Sequence, residues 1–168
     1  MLPIVLKPGP AQVGLIGRGE ALLRRQKLLA EAGFRPSLLR PDAKGPEFDG
    51  LTALFVAGYC EDISARLAAA ARACGLLVNV EDRPELCDFH VPAVVRRGDL
   101  LISVSTSGKS PGLAKLVRHW LERRLGPEWS DQLREASTLR AQWRRSGLSP
   151  SEVSQKTAAL AAARGWLR

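Results

Sequence analysis

One stretch, VGLIGRGEALLRRQKLLAEAGF at residues 13–34, restricts the fold more than any other. It runs from a short apolar segment through a glycine-punctuated turn into an amphipathic helix. Leu22, Leu23, Leu28, Leu29 and Ala32 fall on one broad helical face, and Gly33 supplies the stop. The alternation then continues. SLLRPD (37–42) reads as a short strand closed by proline, and LTALFVAGYCED (51–62) as an apolar strand entering an acidic turn. ISARLAAAARACG (63–75) reads as an alanine-rich helix and LLVNVED (76–82) as another buried strand. Repeated β-α-β order predicts an α/β fold: a Rossmann-like parallel sheet covered by helices on both faces, with right-handed crossovers.

Beyond residue 92 the character changes. AVVRRGDLLISVSTSG (93–108) holds two β-rich pieces around Arg-Arg-Gly-Asp. Leu113, Leu116, Val117, Trp120 and Leu121 then recur at helical spacing. A second helix is predicted over 127–147, stopped by Gly147, and a third over 149–167, opened by Ser149 as N-cap and Pro150 in the first turn.

The Gly17-Arg18-Gly19 turn lies where a dinucleotide pyrophosphate meets a helix N-terminus. The third position of that fingerprint is Leu22 rather than glycine or alanine, so helix and strand are expected to pack differently here. A carboxylate that holds the adenosine ribose belongs at the end of the second strand. That strand ends Arg40-Pro41-Asp42, where Asp42 is late and Arg40 suits a 2′-phosphate, so both NAD and NADP stay open. A Gly-Lys-Ser triplet at 108–110 looks like the end of a nucleoside-triphosphate loop. The loop's first glycine would fall on Ser103, and that reading fails.

Charge is uneven: residues 113–168 carry 11 Lys/Arg against 5 Asp/Glu, whereas residues 1–112 carry 14 against 12. A basic C-terminal third fits a polyanionic partner, either nucleic acid or a small polycarboxylate, or simply solvated helices. The absence of a helix-turn-helix pattern, with one Tyr and four Phe for base stacking, argues against nucleic acid. Cys60, Cys74 and Cys87 are widely spaced and odd in number, which excludes a disulfide framework and suggests buried thiols. His90 and His119 stand apart without carboxylate or thiol company, so no metal site is expected. No apolar run reaches the length of a membrane span, and a cytoplasmic location is expected.

Taken in order, LPIVL near the start, the glycine turn, NVED at 79–82 and CDFHVPAVVRRGDLLISVSTSGKSPGLAKLVRHWLE at 87–122 resemble the precorrin-2 dehydrogenase/sirohydrochlorin ferrochelatase domain of siroheme synthases. The resemblance spans residue 2 to about 125 and is strongest over 79–124. It implies a dinucleotide-binding domain over 1–91, a dimerisation segment over 92–126 and a small C-terminal helical domain over 127–168. It also implies a homodimer that oxidises precorrin-2 to sirohydrochlorin with NAD, NADP being the alternative. Some members then insert Fe²⁺ to give siroheme. A separate uroporphyrinogen methyltransferase would supply the substrate.

On the same resemblance Asp82 is the catalytic carboxylate, with Glu81 its neighbouring rival on the opposite face of the strand. Gly17, Arg18, Gly19, Glu20, Ala21, Arg40, Pro41, Asp42 and Gly58 are cofactor contacts. Thr106, Ser107, Ser110 and Arg118 are substrate contacts, and Arg123 and Arg124 are further candidates to hold its carboxylates. The stretch AKGPEFDG at 43–50 is shorter than the family's, so one sheet strand is expected to be missing. A dehydrogenase-only or chelatase-only member, a non-catalytic Rossmann module and a redox sensor are the alternatives.

Overall fold

A computed structural model describes residues 2–167. The chain divides into two compact units, Met1–Val91 and Pro92–Arg168.

In the first unit four strands pair in parallel: β1 (Val13–Gly17), β2 (Ser37–Leu38), β3 (Ala53–Ala57) and β4 (Leu77–Val80). Their order across the sheet is β2-β1-β3-β4. Helices α1 (Gly19–Glu31) and α2 (Glu61–Ala73) follow β1 and β3. Strand alternation sends Val13, Leu15, Ala53 and Phe55 into one core with Leu29 of α1. Ile16, Leu54, Val56, Val78 and Val80 enter the other core with Leu67, Ala68 and Ala71 of α2. Helices on both faces explain why the central strands read as unbroken apolar runs.

Between β2 and β3 there is no strand. A 3-10 turn at Gly45–Phe48 occupies the short stretch and buries Phe48 in the α2-side core.

Two expectations need correction. The apolar face of α1 is narrower than read, because Leu23 is 64% exposed and Leu28 37% exposed. At about 100° per residue the buried line runs through Ala21, Leu22, Arg25 and Leu29, and Leu23 and Leu28 turn off it. The cysteines are not buried thiols: Cys60 and Cys74 are exposed and Cys87 is partly so. Cys60 is the N-cap of α2 and Cys74 its C-cap, and helix ends lie at the surface.

The second unit opens with an antiparallel hairpin, β5 (Ala93–Arg97) and β6 (Leu100–Val104). Gly98 in its turn has φ +57, a left-handed backbone that favours glycine, and faces the Ser130 side chain. Three helices follow: α3 (Pro111–Arg124), α4 (Trp129–Arg145) and α5 (Pro150–Arg164). Ser110 caps α3 through Leu113 N, and Ser149 and Glu152 form a capping box on α5. Of the α3 apolar positions, Ala114 is buried and Val117 and Leu121 half-buried, while Leu113, Leu116 and Trp120 stay exposed. Among the described residues no helix is long and apolar enough to cross a membrane.

Candidate functional site

β1 and β3 are neighbours, yet the chain leaves β1 for β2 on one side and returns to β3 on the other. Their carboxyl ends form a topological switch point, where doubly wound sheets bind ligands. Two turns interlock there. The Arg18 amide donates to Ala57 O at 3.2 Å, and Arg18 Nε donates to Gly58 O at 2.6 Å. The guanidinium lies 5.1 Å from the centre of the Tyr59 ring. Gly58 has φ +78, and a Cβ there would stand 2.7 Å from Arg18 O.

Gly19 begins α1 at φ +58 with open space around it, and no side chain caps the helix. The first amides of α1 are therefore free to receive an anion. A Cβ on Gly17 would meet Leu22 at 3.1 Å, so the close helix–strand approach usually granted by a third glycine comes here from the first. Glu20 beside the turn is exposed and pairs loosely with Arg24 at 3.8 Å, and Ala21 is buried. Open amides, interlocked glycines and an adjacent guanidinium fit a dinucleotide pyrophosphate.

At the end of β2, Arg40 Nε lies 3.5 Å from Asp42 Oδ1, with both side chains exposed. Arg66 of α2 reaches the same turn and donates from Nη2 to Pro41 O at 3.3 Å.

Asp82 lies two residues beyond the end of β4, is exposed, and has φ +59. Its neighbours are engaged elsewhere: Glu81 with Arg24 at 3.6 Å, and Arg83 with Glu61 at 3.0 Å. The Asp82 carboxylate has no such partner among the described residues. Arg25 of α1 is half-buried, 5.5 Å from the centre of the Phe55 ring. Burial pushes this guanidinium below its ordinary value, against the opposing pull of Glu81, then Cys87 and Asp82. The Asp82 carboxylate therefore stands unpaired and open to solvent at the carboxyl edge of the sheet.

Residues 4–93, more than half of the chain, match the family described as putative NAD(P)-binding. The chain belongs to that family. Residues 97–124 match the central part of sirohaem biosynthesis proteins. The siroheme synthase of Ectopseudomonas mendocina is 34% identical over 139 residues, which cover 72% of this chain and 30% of that protein. That of Methylococcus capsulatus is 31% identical over 159 residues, covering 83% and 34%. The chain thus spans about a third of the length of the curated relatives it matches. A solved structure titled SirC, precorrin-2 dehydrogenase, shares the fold with a TM-score of 0.71 at 19% identity, covering 95% of this chain and 89% of that one. The resemblance to siroheme synthases read from the sequence holds.

In this NAD(P)-binding family member the expected substrate contacts fall in the second unit. Thr106 Oγ1 accepts from Ser110 N at 3.2 Å, and Ser110 Oγ accepts from Leu113 N at 3.3 Å. Ser107 has φ +57, and its amide donates to Ser105 Oγ at 3.2 Å. Arg118 is half-buried and bonds Glu122 at 2.6 Å within its own helix, whereas Arg123 and Arg124 are exposed. Arg124 stacks 4.7 Å from the Trp120 ring.

Three arginines escaped the sequence reading. Arg25 falls between Leu22 and Leu29 at apolar-face spacing, a signal available in the sequence. Arg66 and Arg97 act across long sequence separations, which spacing does not encode. Arg97 donates to Leu125 O at 2.6 Å and to Glu122 O at 3.0 Å, closing the C-terminal end of α3.

Proposed function

We propose that the chain oxidises precorrin-2 to sirohydrochlorin with NAD(P)⁺. The observation that carries this reading is the free Asp82 carboxylate, set beside a dinucleotide-binding switch point while Glu81 and Arg83 are both paired. The names of the siroheme synthase relatives and of the structural neighbour support it.

The turns after β1 and β3 bind and orient the dinucleotide, with α1 amides and Arg18 facing the pyrophosphate. A nicotinamide held there would supply the hydride acceptor for the oxidation. Substrate that has lost hydride must also shed a proton, and Asp82 receives it. Thr106, Ser107, Ser110 and the exposed Arg123 and Arg124 contact the tetrapyrrole and its carboxylates. Fe²⁺ insertion extends the same reading: iron is then a substrate, and Asp82 takes the protons released from pyrrole nitrogens. The exposed Leu113, Leu116 and Trp120 on α3 support a homodimer, since such a stripe gains by burial against a second copy.

The test is anaerobic. Purified protein, enzymatically generated precorrin-2 and NAD⁺ or NADP⁺ are combined, and the sirohydrochlorin spectrum is followed. Product that appears only with a nicotinamide establishes the dehydrogenase. No product with either cofactor, from protein that binds dinucleotide, removes the reading. Fe²⁺ added after oxidation then tests chelation separately.

A further inference from the structure

We infer that the dinucleotide site prefers NADP to NAD, and that Arg40 and Arg66 make the choice by holding the 2′-phosphate. The inference rests on the dinucleotide-binding reading above and concerns which dinucleotide the site takes.

Strand register locates the deciding residue. β1 and β2 pair at Gly14↔Ser37 and Leu15↔Leu38. The Leu39 amide then donates to Leu15 O at 3.0 Å, so pairing runs past the strand's formal end. Beyond that bond the chain turns, with the Ala43 amide donating to Arg40 O at 3.1 Å. Arg40 thus stands just past the carboxyl end of β2, at the edge of the sheet where β1 gives way to the phosphate turn. A residue at that place borders the adenosine ribose: a carboxylate takes the 2′-hydroxyl and repels a 2′-phosphate, whereas an arginine receives the phosphate.

Asp42 is the carboxylate that would argue for NAD. It lies two residues beyond, and its Oδ1 is 3.5 Å from Arg40 Nε. With side chains 80% and 69% exposed, that pair is weak and yields readily to a doubly charged phosphate. Glu47, the next acid along, is turned to the Lys44 amide at 2.9 Å.

Arg66 adds a second guanidinium. It arrives from α2 and bonds Pro41 O, spending one Nη2 hydrogen and keeping the other donors of its fork. Arg40 on this exposed turn and Arg66 reaching it from α2 supply two forks for one phosphate, because guanidinium and phosphate match in planar, bidentate geometry. A 2′-hydroxyl carries no charge and only one acceptor oxygen, so it cannot engage both forks as a phosphate does.

Calorimetric titration of the full chain with NADP⁺, NAD⁺ and 2′,5′-ADP tests this without turnover. NADP⁺ is expected to bind about tenfold or more tighter than NAD⁺, with 2′,5′-ADP competing. Arg40→Ala and Arg66→Ala, both surface changes, should each weaken NADP⁺ by about tenfold and NAD⁺ far less. Equal or tighter binding of NAD⁺ by the unmodified protein overturns the preference and leaves the dehydrogenase reading standing. Equal weakening of both dinucleotides by the substitutions overturns the assignment to these residues. Failure of both dinucleotides to bind overturns the preference and the parent reading together.

Discussion

The Cys87 thiol lies 3.2 Å from both the amide nitrogen and the carbonyl oxygen of Val80. Arg83 O is also 3.2 Å away, so one sulfur ties together the two residues that bracket Glu81 and Asp82. Its single proton serves one carbonyl at a time. Burial pushes the Cys87 thiol up from its ordinary value, with the Val80 hydrogen bond opposing. The nucleophile is the thiolate, so a raised value slows alkylation. Under mild iodoacetamide near neutral pH, Cys60 and Cys74 should label first and Cys87 last. Peptide mass spectrometry reads the order, and equal labelling of all three would contradict this arrangement.

Gly58→Ala probes the interlocked turns. Its Cβ would stand 2.7 Å from Arg18 O, on a backbone at φ +78 that alanine resists. Either Arg18 or the Gly58 turn must move, and the 2.6 Å Arg18–Gly58 bond is lost. Dinucleotide affinity should fall by about tenfold or more while far-ultraviolet circular dichroism stays unchanged. Unchanged affinity in a folded variant would take this turn out of the binding site.

The strand–turn–helix order was legible in the sequence because apolar periodicity and glycine stops are local properties. All four sheet strands and the three C-terminal helices lie where that periodicity put them. Long-range pairings were not legible. That Arg18 latches Gly58, that Arg66 reaches Pro41 and that Arg97 closes α3 depends on partners 25 to 40 residues distant. Asp82 was nameable only through its NVED context, and its left-handed backbone appears only in the fold. Leu22 shows the opposite case. It looked like a defect in the fingerprint, yet Gly17 makes the room that Leu22 takes.

Arg97→Met keeps the aliphatic stem and deletes the guanidinium. Three carbonyls at the C-terminal end of α3, from Glu122, Leu125 and Gly126, lose the guanidinium, and among the described residues only Gly126 O keeps a backbone donor, Trp129 N at 3.4 Å. The lost cation at a helix C-terminus and the unmet carbonyls should together cost about 2 kcal/mol. Urea unfolding followed by fluorescence reads the second unit, because all four tryptophans lie beyond residue 119. An unchanged midpoint would show that water replaces the guanidinium without loss.

Acid should loosen α5 in a defined direction. Donation from the Ser149 hydroxyl, then from the Ser149 amide, holds the Glu152 carboxyl below its ordinary value. A depressed folded-state value means the carboxylate's contribution is complete above the ordinary glutamate range. It is lost as pH falls through the depressed value. Glu152→Gln retains an acceptor for the capping box but has no proton to gain. The variant's helical signal should therefore be flatter with pH across the acid range than that of the unmodified chain. Identical acid transitions would exclude Glu152 as a contributor.

Asp82 separates function from stability most sharply. Its φ of +59 costs an ordinary side chain about 1 kcal/mol, although aspartate and asparagine tolerate the region better than most. Asp82→Asn preserves shape and backbone preference and removes only the proton acceptor. It should fold as the unmodified protein does, bind dinucleotide with unchanged affinity, and lose about 10²- to 10⁴-fold in sirohydrochlorin formation. Asp82→Gly should lose activity to the same extent while gaining up to about 1 kcal/mol of stability, because glycine relieves the backbone. If Asp82→Asn turns over at the unmodified rate, the proton goes elsewhere. Glu81, 16% exposed and tied to Arg24, then becomes the group to replace.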